Sequence, residues 1–279
     1  GAPVARRFGT TRFFAFLAFT AFTGALFHFF SNMDAVEPYW ATVRPVILDS
    51  SSQFRAPAPA KFDLTKGSPY YKEVMDSYET VKNLTSEQRD IANFWDCNPF
   101  KMNITGHAMF ATKKMSPGGH WLGIVAQISR QYNKPYVETA EALALTSLAI
   151  FDGFISCWDE KYRSVRIRPE TVINNSIDKK WIPILQTPPF PEYTSGHSTI
   201  SSAAATVLTE LYGDKIAFND STEIPYGLPP RKFTSFKQAA DEASISRLYG
   251  GIHFRPALDL GVVQGANVAQ HFMAKVKKK

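Results

Sequence analysis

The stretch Pro191-Glu192-Tyr193-Thr194-Ser195-Gly196-His197-Ser198, followed by the Ala/Ser/Leu-rich residues 199–211, decides how this chain is read. The run before it, Thr187-Pro188-Pro189-Phe190-Pro191, cannot be helical, because proline lacks an N–H and restricts the residue ahead of it. Residues 199–211 carry apolar side chains at helical spacing and predict a helix. Ser195-Gly196-His197 therefore falls where a rigid loop enters a helix N-terminus. Free N–H groups and the positive end of the helix dipole favour an anion there. Ser195 offers a hydroxyl, Gly196 lets an oxygen approach the backbone, and His197 can move a proton near neutral pH. Taken alone, the three residues read more simply as a helix cap, since Ser and Gly are common at that position.

Helical patterns continue on both sides. Residues 137–159 are apolar on most faces (Leu143, Leu145, Leu148, Ile150, Phe151, Phe154) and predict a long central helix. Ser235-Phe236-Lys237-Gln238 is a capping-box sequence opening a helix to about Tyr249, and residues 257–275 predict a final one. Thr85-Ser86-Glu87-Gln88 is a second capping box, ahead of Ile91, Phe94 and Trp95, in a helix closed by Asn98-Pro99. Residues 120–131 also read as helix. Residues 50–68, 101–119, 170–194 and 214–230 read as irregular connections, and alternating runs that would argue for a substantial sheet are missing. The expected fold class is all-α, a helical bundle with its site at one end between helices.

With 279 residues, 44% of them apolar, the chain can bury a sizeable core. The expected division is an apolar N-terminal segment, 1–33, and one helical domain, 34–279. Residues 13–30 are nearly all apolar and follow Arg6, Arg7 and Arg12. A packed segment, a signal-like segment and a membrane anchor are the competing readings, and the first is preferred. The net charge is +6, and Lys275 and Lys277 to Lys279 supply four positives as a solvated tail. No basic stripe carries a nucleic-acid motif, so neither nucleic acid nor a membrane is expected as a partner. Cys97 and Cys157 stand in no zinc-like spacing and read as two buried thiols.

Three separated stretches acquire meaning together: Lys161-(six residues)-Arg168-Pro169, Ser195-Gly196-His197, and Ser246-Arg247-Leu248-Tyr249-Gly250-Gly251-Ile252-His253. Each supplies cations, donors or imidazoles of the kind a tetrahedral oxyanion needs. Arg forks bind such oxygens bidentately and Lys adds a point charge. Separately, Lys161 and Arg168 read as a solvated basic turn, Arg247 as a surface residue and His253 as a core histidine.

The combination resembles the K-x6-R-P … (P)SGH … S-R-x3-G-x-H pattern of the vanadium-dependent haloperoxidases and the related type 2 phosphatidic-acid phosphatases. The stretches FWDCNPFKM (94–102), SCWDE (156–160) and 190–198 are most similar to the bacterial iodoperoxidase type. The similarity runs from about Asp34 to the C-terminus. Members of that group carry further helices upstream, so part of the family domain is expected to be missing.

The resemblance implies vanadate as cofactor, with phosphate able to take its place. It implies hydrogen peroxide, iodide or bromide, and a small organic halide acceptor as partners, and a periplasmic or secreted location. His253 would be the metal ligand. Lys161, Arg168 and Arg247 would neutralise the oxyanion, Ser195 and the Gly196 N–H would hydrogen-bond it, and His197 would be the acid–base group. Trp158, Phe190 and Phe100 would line the halide pocket. The implied reaction is peroxidative oxidation of halide to hypohalous acid. A phosphatase with a His253 nucleophile is the alternative, and a non-catalytic anion-binding domain the third reading. Two departures stand out. Thr194 replaces a proline common in relatives. Ala257 stands where the phosphatases carry an Asp that orients the last His, which leaves that orienting group unidentified.

Overall fold

The computed structural model describes residues 37–97, 101–105, 108–112 and 115–277, with 101–105 and 108–112 defined by backbone alone. The N-terminal segment 1–33, with its apolar run 13–30, and Phe100 lie outside the described residues. Pro38–Lys279 forms one compact unit.

The described residues form eight α-helices, two short 3-10 helices (Pro38–Thr42 and Ile224–Tyr226) and two small ribbons: α1 (Pro69–Lys82), α2 (Ser86–Phe94), β1 (Lys101–Thr105), β2 (Ala108–Thr112), α3 (Pro117–Gln131), α4 (Tyr136–Ser164), α5 (Pro169–Ser176), α6 (Gly196–Tyr212), β3 (Phe218–Asp220), β4 (Arg231–Phe233), α7 (Phe236–Tyr249) and α8 (Arg255–Val276). β1 pairs antiparallel with β2, and β3 with β4. The all-α expectation holds.

The helix starts follow their caps. At α2 the Thr85 hydroxyl accepts from the Gln88 N–H while the Gln88 side chain accepts from the Thr85 N–H, a complete capping box. At α7 the box is only half made. Ser235 Oγ accepts from the Gln238 N–H, but Gln238 Oε1 accepts from the N–H and hydroxyl of Thr234.

Helix α6 is the axle of the bundle, packing against α8, α4, α7 and α3. Its small buried residues Ser198, Ser201, Ser202, Ala203, Ala204 and Ala205 let four neighbours approach it. Against α8 the approach is closest. A Cβ at Gly261 would lie 3.0 Å from the Ser195 carbonyl, and one at Gly265 would overlap the Thr199 carbonyl. Between these glycines, Gln264 accepts from the Thr194 hydroxyl at 2.6 Å and donates to the Ser156 carbonyl and hydroxyl at 3.0 Å. The loop entering α6 is thereby fixed to both α8 and α4.

Helix α4 carries its own buried anchor. Asp152, fully buried, accepts from the N–H groups of Val46, Ile47 and Leu48 at 2.7, 2.8 and 3.1 Å. Three N–H donors on one carboxylate satisfy an extended segment that has no strand partner.

Three local expectations are corrected. Residues 101–119 hold the β1–β2 ribbon and the start of α3, whose Ser116 cap accepts from the Gly119 N–H. Residues 170–194 contain α5, opened by Pro169 in its first turn. The central helix continues past Asp159 to Ser164, which puts Lys161 on its last turn rather than in a loop. Val165 closes it in the left-handed region at φ 45°, and the chain reverses towards Arg166 and Arg168.

Candidate oxyanion and metal site

Lys161, Arg168, Ser195, Arg247 and His253 are all buried, between 0% and 5% exposed, while Gly196 and His197 are partly buried. They come from the end of α4, the start of α5, the start of α6, the end of α7 and the turn before α8. The charges acting on the His253 ring locate them around one centre: after burial itself, Arg168, Lys161, Arg247 and His197, in that order, hold its pKa well below the ordinary value. The far-apart motifs thus meet at one place.

His253 is held in a single tautomer. Arg168 Nη1 lies 3.0 Å from its Nε2, and an arginine only donates, so Nε2 accepts and Nδ1 carries the proton. Nδ1 donates to Glu192 Oε1 at 2.9 Å, an oxygen that also accepts from the Phe254 N–H at 3.0 Å. Glu192 is therefore the orienting group that Ala257 cannot be; Asp259 is exposed. Burial raises the Glu192 pKa, and Arg166 first and then Arg168 pull it back. Arg166, buried between Glu73 and Glu192 Oε2 (the latter at 3.5 Å), stacks its guanidinium on Phe254 and Tyr70.

Two of the cations also shape the loop. Lys161 Nζ donates to the carbonyls of Pro191, Glu192 and Thr194 at 2.9, 3.1 and 2.6 Å. Burial pushes its pKa down to about 8; Cys157 opposes the shift and Arg168 adds to it. Arg168 donates to the carbonyls of Phe190 and Ile252 at 2.9 and 2.8 Å. Burial lowers its pKa to about 10, with Glu192 opposing. The proline run thus reads as a backbone cradle for two buried cations.

On the far side, Arg247 Nη1 donates to the Trp95 carbonyl at 2.6 Å. The Trp95 backbone also acts on the His197 ring, opposing the downward shift of its pKa. Burial, then Arg247, then the charge of His120 hold His197 neutral, well below its ordinary pKa. Ser195 Oγ caps α6 by accepting from the Ser198 N–H at 3.3 Å, leaving the first N–H groups of the helix directed outward.

The residues fit an oxyanion bound through a metal. Arg247 Nε, His197 Nε2 and Trp158 Nε1 are buried without a hydrogen-bond partner among the described residues. Buried polar atoms of this kind are costly unless a ligand satisfies them. The His253 Nε2 lone pair, which accepts from Arg168 here, is of the sort that binds a metal, and Arg168 would then turn to the oxyanion.

Trp158 and Phe190 join this centre. Their rings are 5.1 Å apart, and Lys161 Nζ lies 5.5 and 5.4 Å from their centroids. Phe154 stacks beneath Trp158 at 3.8 Å, and the Trp158 ring passes 3.4 Å from where a Gly196 Cβ would stand.

All of these residues except Tyr70, Glu73, Trp95 and His120 fall within residues 141–279, which match the family model for the VCPO second helical-bundle domain. Solved structures share the fold. The crystal structure of a bacterial vanadium-dependent iodoperoxidase is similar to this chain at 51% identity and a TM-score of 0.82, covering 87% of this chain and 58% of that one. Holo- and apo-type bacterial vanadium-dependent chloroperoxidases, each 20% identical, share the fold at TM-scores of 0.70 and 0.67. The chain thus spans less than two thirds of the length of these relatives. No curated protein matches it in sequence.

Proposed function

We propose that the protein is a vanadate-dependent haloperoxidase that uses hydrogen peroxide to oxidise iodide, or bromide, to the hypohalous acid. The observation that carries this reading is His253: a neutral ring with its Nε2 lone pair set among Lys161, Arg168, Arg247 and His197. The 51% identity to a protein described as an iodoperoxidase supports the choice of halide.

Vanadate, when bound, supplies a Lewis acid that holds and polarises peroxide. His253 Nε2 is the residue to bind it, and Glu192 keeps the ring in the ligating tautomer. Lys161, Arg168 and Arg247 balance its negative charge, with Ser195 and the first N–H groups of α6 as further donors. His197 Nε2 is buried without a partner among the described residues, so a neutral ring protonated at Nδ1 can accept a proton from peroxide there. The Trp158 and Phe190 rings beside Lys161 give a soft, polarisable anion an apolar wall next to a cation.

The phosphatase alternative uses His253 Nε2 as nucleophile and asks His197 to protonate a leaving group. The likeness to a protein described as an iodoperoxidase favours the peroxidase.

Reconstitution with orthovanadate, followed by peroxide and iodide, should yield triiodide, while an aryl phosphate is not turned over. Phosphate turnover without triiodide discards the proposal. His253→Ala should abolish vanadate retention, whereas His197→Ala retains vanadate and slows turnover by about 10²–10⁴-fold, the range for a lost acid–base group.

A further inference from the structure

Next to His197 the structure buries a second polar cluster that halide oxidation does not use. Cys97 Sγ, His120 Nδ1 and a Glu223 carboxylate oxygen all lie within 4.8 Å of one another. The three residues are 2%, 0% and 0% exposed. They come from the segment after α2, from the first turn of α3 and from the loop between β3 and β4. We propose that Cys97, His120 and Glu223 bind a structural zinc ion.

The tautomer of His120 is the first argument. Its Nε2 lies 2.7 Å from Asp220 Oδ2 and 2.8 Å from Thr222 Oγ1. The Thr222 hydroxyl already donates to Asp220 Oδ1 at 2.7 Å. Thr222 Oγ1 can therefore only accept from Nε2, and Nε2 carries a proton. Nδ1 faces Cys97 and Glu223; without a metal, and against burial, Cys97 and Asp220 raise the His120 pKa to about 10, so Nδ1 is protonated too and zinc would displace that proton. A histidine whose outer N–H is held by a carboxylate is the usual arrangement behind a zinc ligand.

The spacing is the second. Cys97 Sγ lies 3.4 Å from Nδ1, and Glu223 Oε1 also lies 3.4 Å from it. A charge-assisted N–H···O bond would be about 2.7–2.9 Å. With zinc distances of about 2.3 Å to sulfur and about 2.0–2.1 Å to nitrogen and oxygen, tetrahedral edges come to about 3.6 Å for S···N and about 3.4 Å for N···O. The Glu223 separation matches its edge better than it matches a charge-assisted bond, and the Cys97 separation is compatible with its edge as it is with a hydrogen bond to sulfur. Thiolate, imidazole and carboxylate together suit zinc among the common divalent ions. Ligands at positions 97, 120 and 223 are too dispersed for any spacing motif to reveal them.

The consequence reaches the first site without depending on its chemistry. Cys97 is two residues from Trp95, whose carbonyl holds Arg247 and whose ring stacks on His120 at 4.5 Å. Zinc would fix that carbonyl by joining its segment to α3 and the β3–β4 loop.

The test is metal content of the purified full chain, read independently of halide or phosphate turnover. After dialysis against zinc and then zinc-free buffer, about one zinc per chain should remain. Cobalt-loaded protein should show thiolate-to-cobalt charge-transfer absorption that Cys97→Ser abolishes. Glu223→Gln preserves shape, so it serves if the cysteine variant misfolds, and it should lose zinc at least tenfold more readily. Asp220→Asn should weaken retention about 10–100-fold. A folded protein that takes up no zinc, or that keeps it equally well in Cys97→Ser and Glu223→Gln, overturns the proposal and leaves a buried charge cluster.

Discussion

Glu192 stands between the proline run and Ser195 and faces a histidine 61 residues away. By accepting from Nδ1 it makes His253 a better ligand through Nε2. Glu192→Gln keeps an acceptor oxygen but removes the charge, so vanadate retention should fall about 10–100-fold with little change in fold, measured by equilibrium dialysis and circular dichroism. Lys161 gives a pH prediction. Its pKa is pushed down to about 8, so in the ligand-free protein it is charged below that pH and loses its charge above it. An anion that needs the charge binds fully below pH 8 and progressively less well above. The ratio of vanadate affinities, wild type over Lys161→Met, cancels the ligand's own titration. It should be constant below about pH 8 and fall towards tenfold per unit above it. A ratio independent of pH would show that Lys161 does not contact the anion.

At the scale of elements, the close crossing of α6 and α8 sets where Ser195, Gly196 and His197 stand. Gly265→Ala drives a methyl into the Thr199 carbonyl, so the helices must separate. The expected cost is about 1–3 kcal/mol, seen as a lower denaturation midpoint. Gly118→Ala, where the new Cβ meets only Ile150 at an ordinary 3.6 Å, should be neutral or stabilising by up to about 1 kcal/mol. Much of this architecture was legible beforehand. Capping residues at Thr85 and Ser235 and the apolar periodicity of residues 137–159 mark helices because those signals are local. The three cation and histidine stretches were legible only in combination. What escaped reading is non-local or short. Helix α5 has eight residues, among them Asn174, Asn175 and Ser176, which favour turns. Glu192, Arg166 and the Trp95 carbonyl act through partners distant in sequence, and no periodicity reports such pairings. The extension of α4 to Ser164 was hidden by a charged run, Asp159 to Arg163, whose Glu160 and Lys161 turn inward.

Across the whole molecule, three buried cations share one pocket, and Glu192 is a near carboxylate for only two of them. Arg247 is lowered by burial and supported by Asp96 and then Cys97. Holding like charges together without an anion costs stability, so a bound oxyanion should tighten the entire bundle through α4, α5, α6, α7 and the turn before α8 at once. A ligand at 100 times its Kd stabilises by about 2.7 kcal/mol. For a unit of this size each kcal/mol moves the midpoint by about 2–4 °C, so orthovanadate should raise Tm by about 5–10 °C, and phosphate by less. Sodium chloride at equal ionic strength separates specific binding from screening. Arg247→Met should remove most of the shift. The ligand-free variant escapes the desolvation cost of Arg247 but leaves the Trp95 carbonyl and Asp96 without it, so it should be less stable than wild type and its shift is read from its own ligand-free midpoint. A vanadate-induced shift of equal size in Arg247→Met, or none in wild type at saturating vanadate, would mean that these cations serve only to order the proline loop.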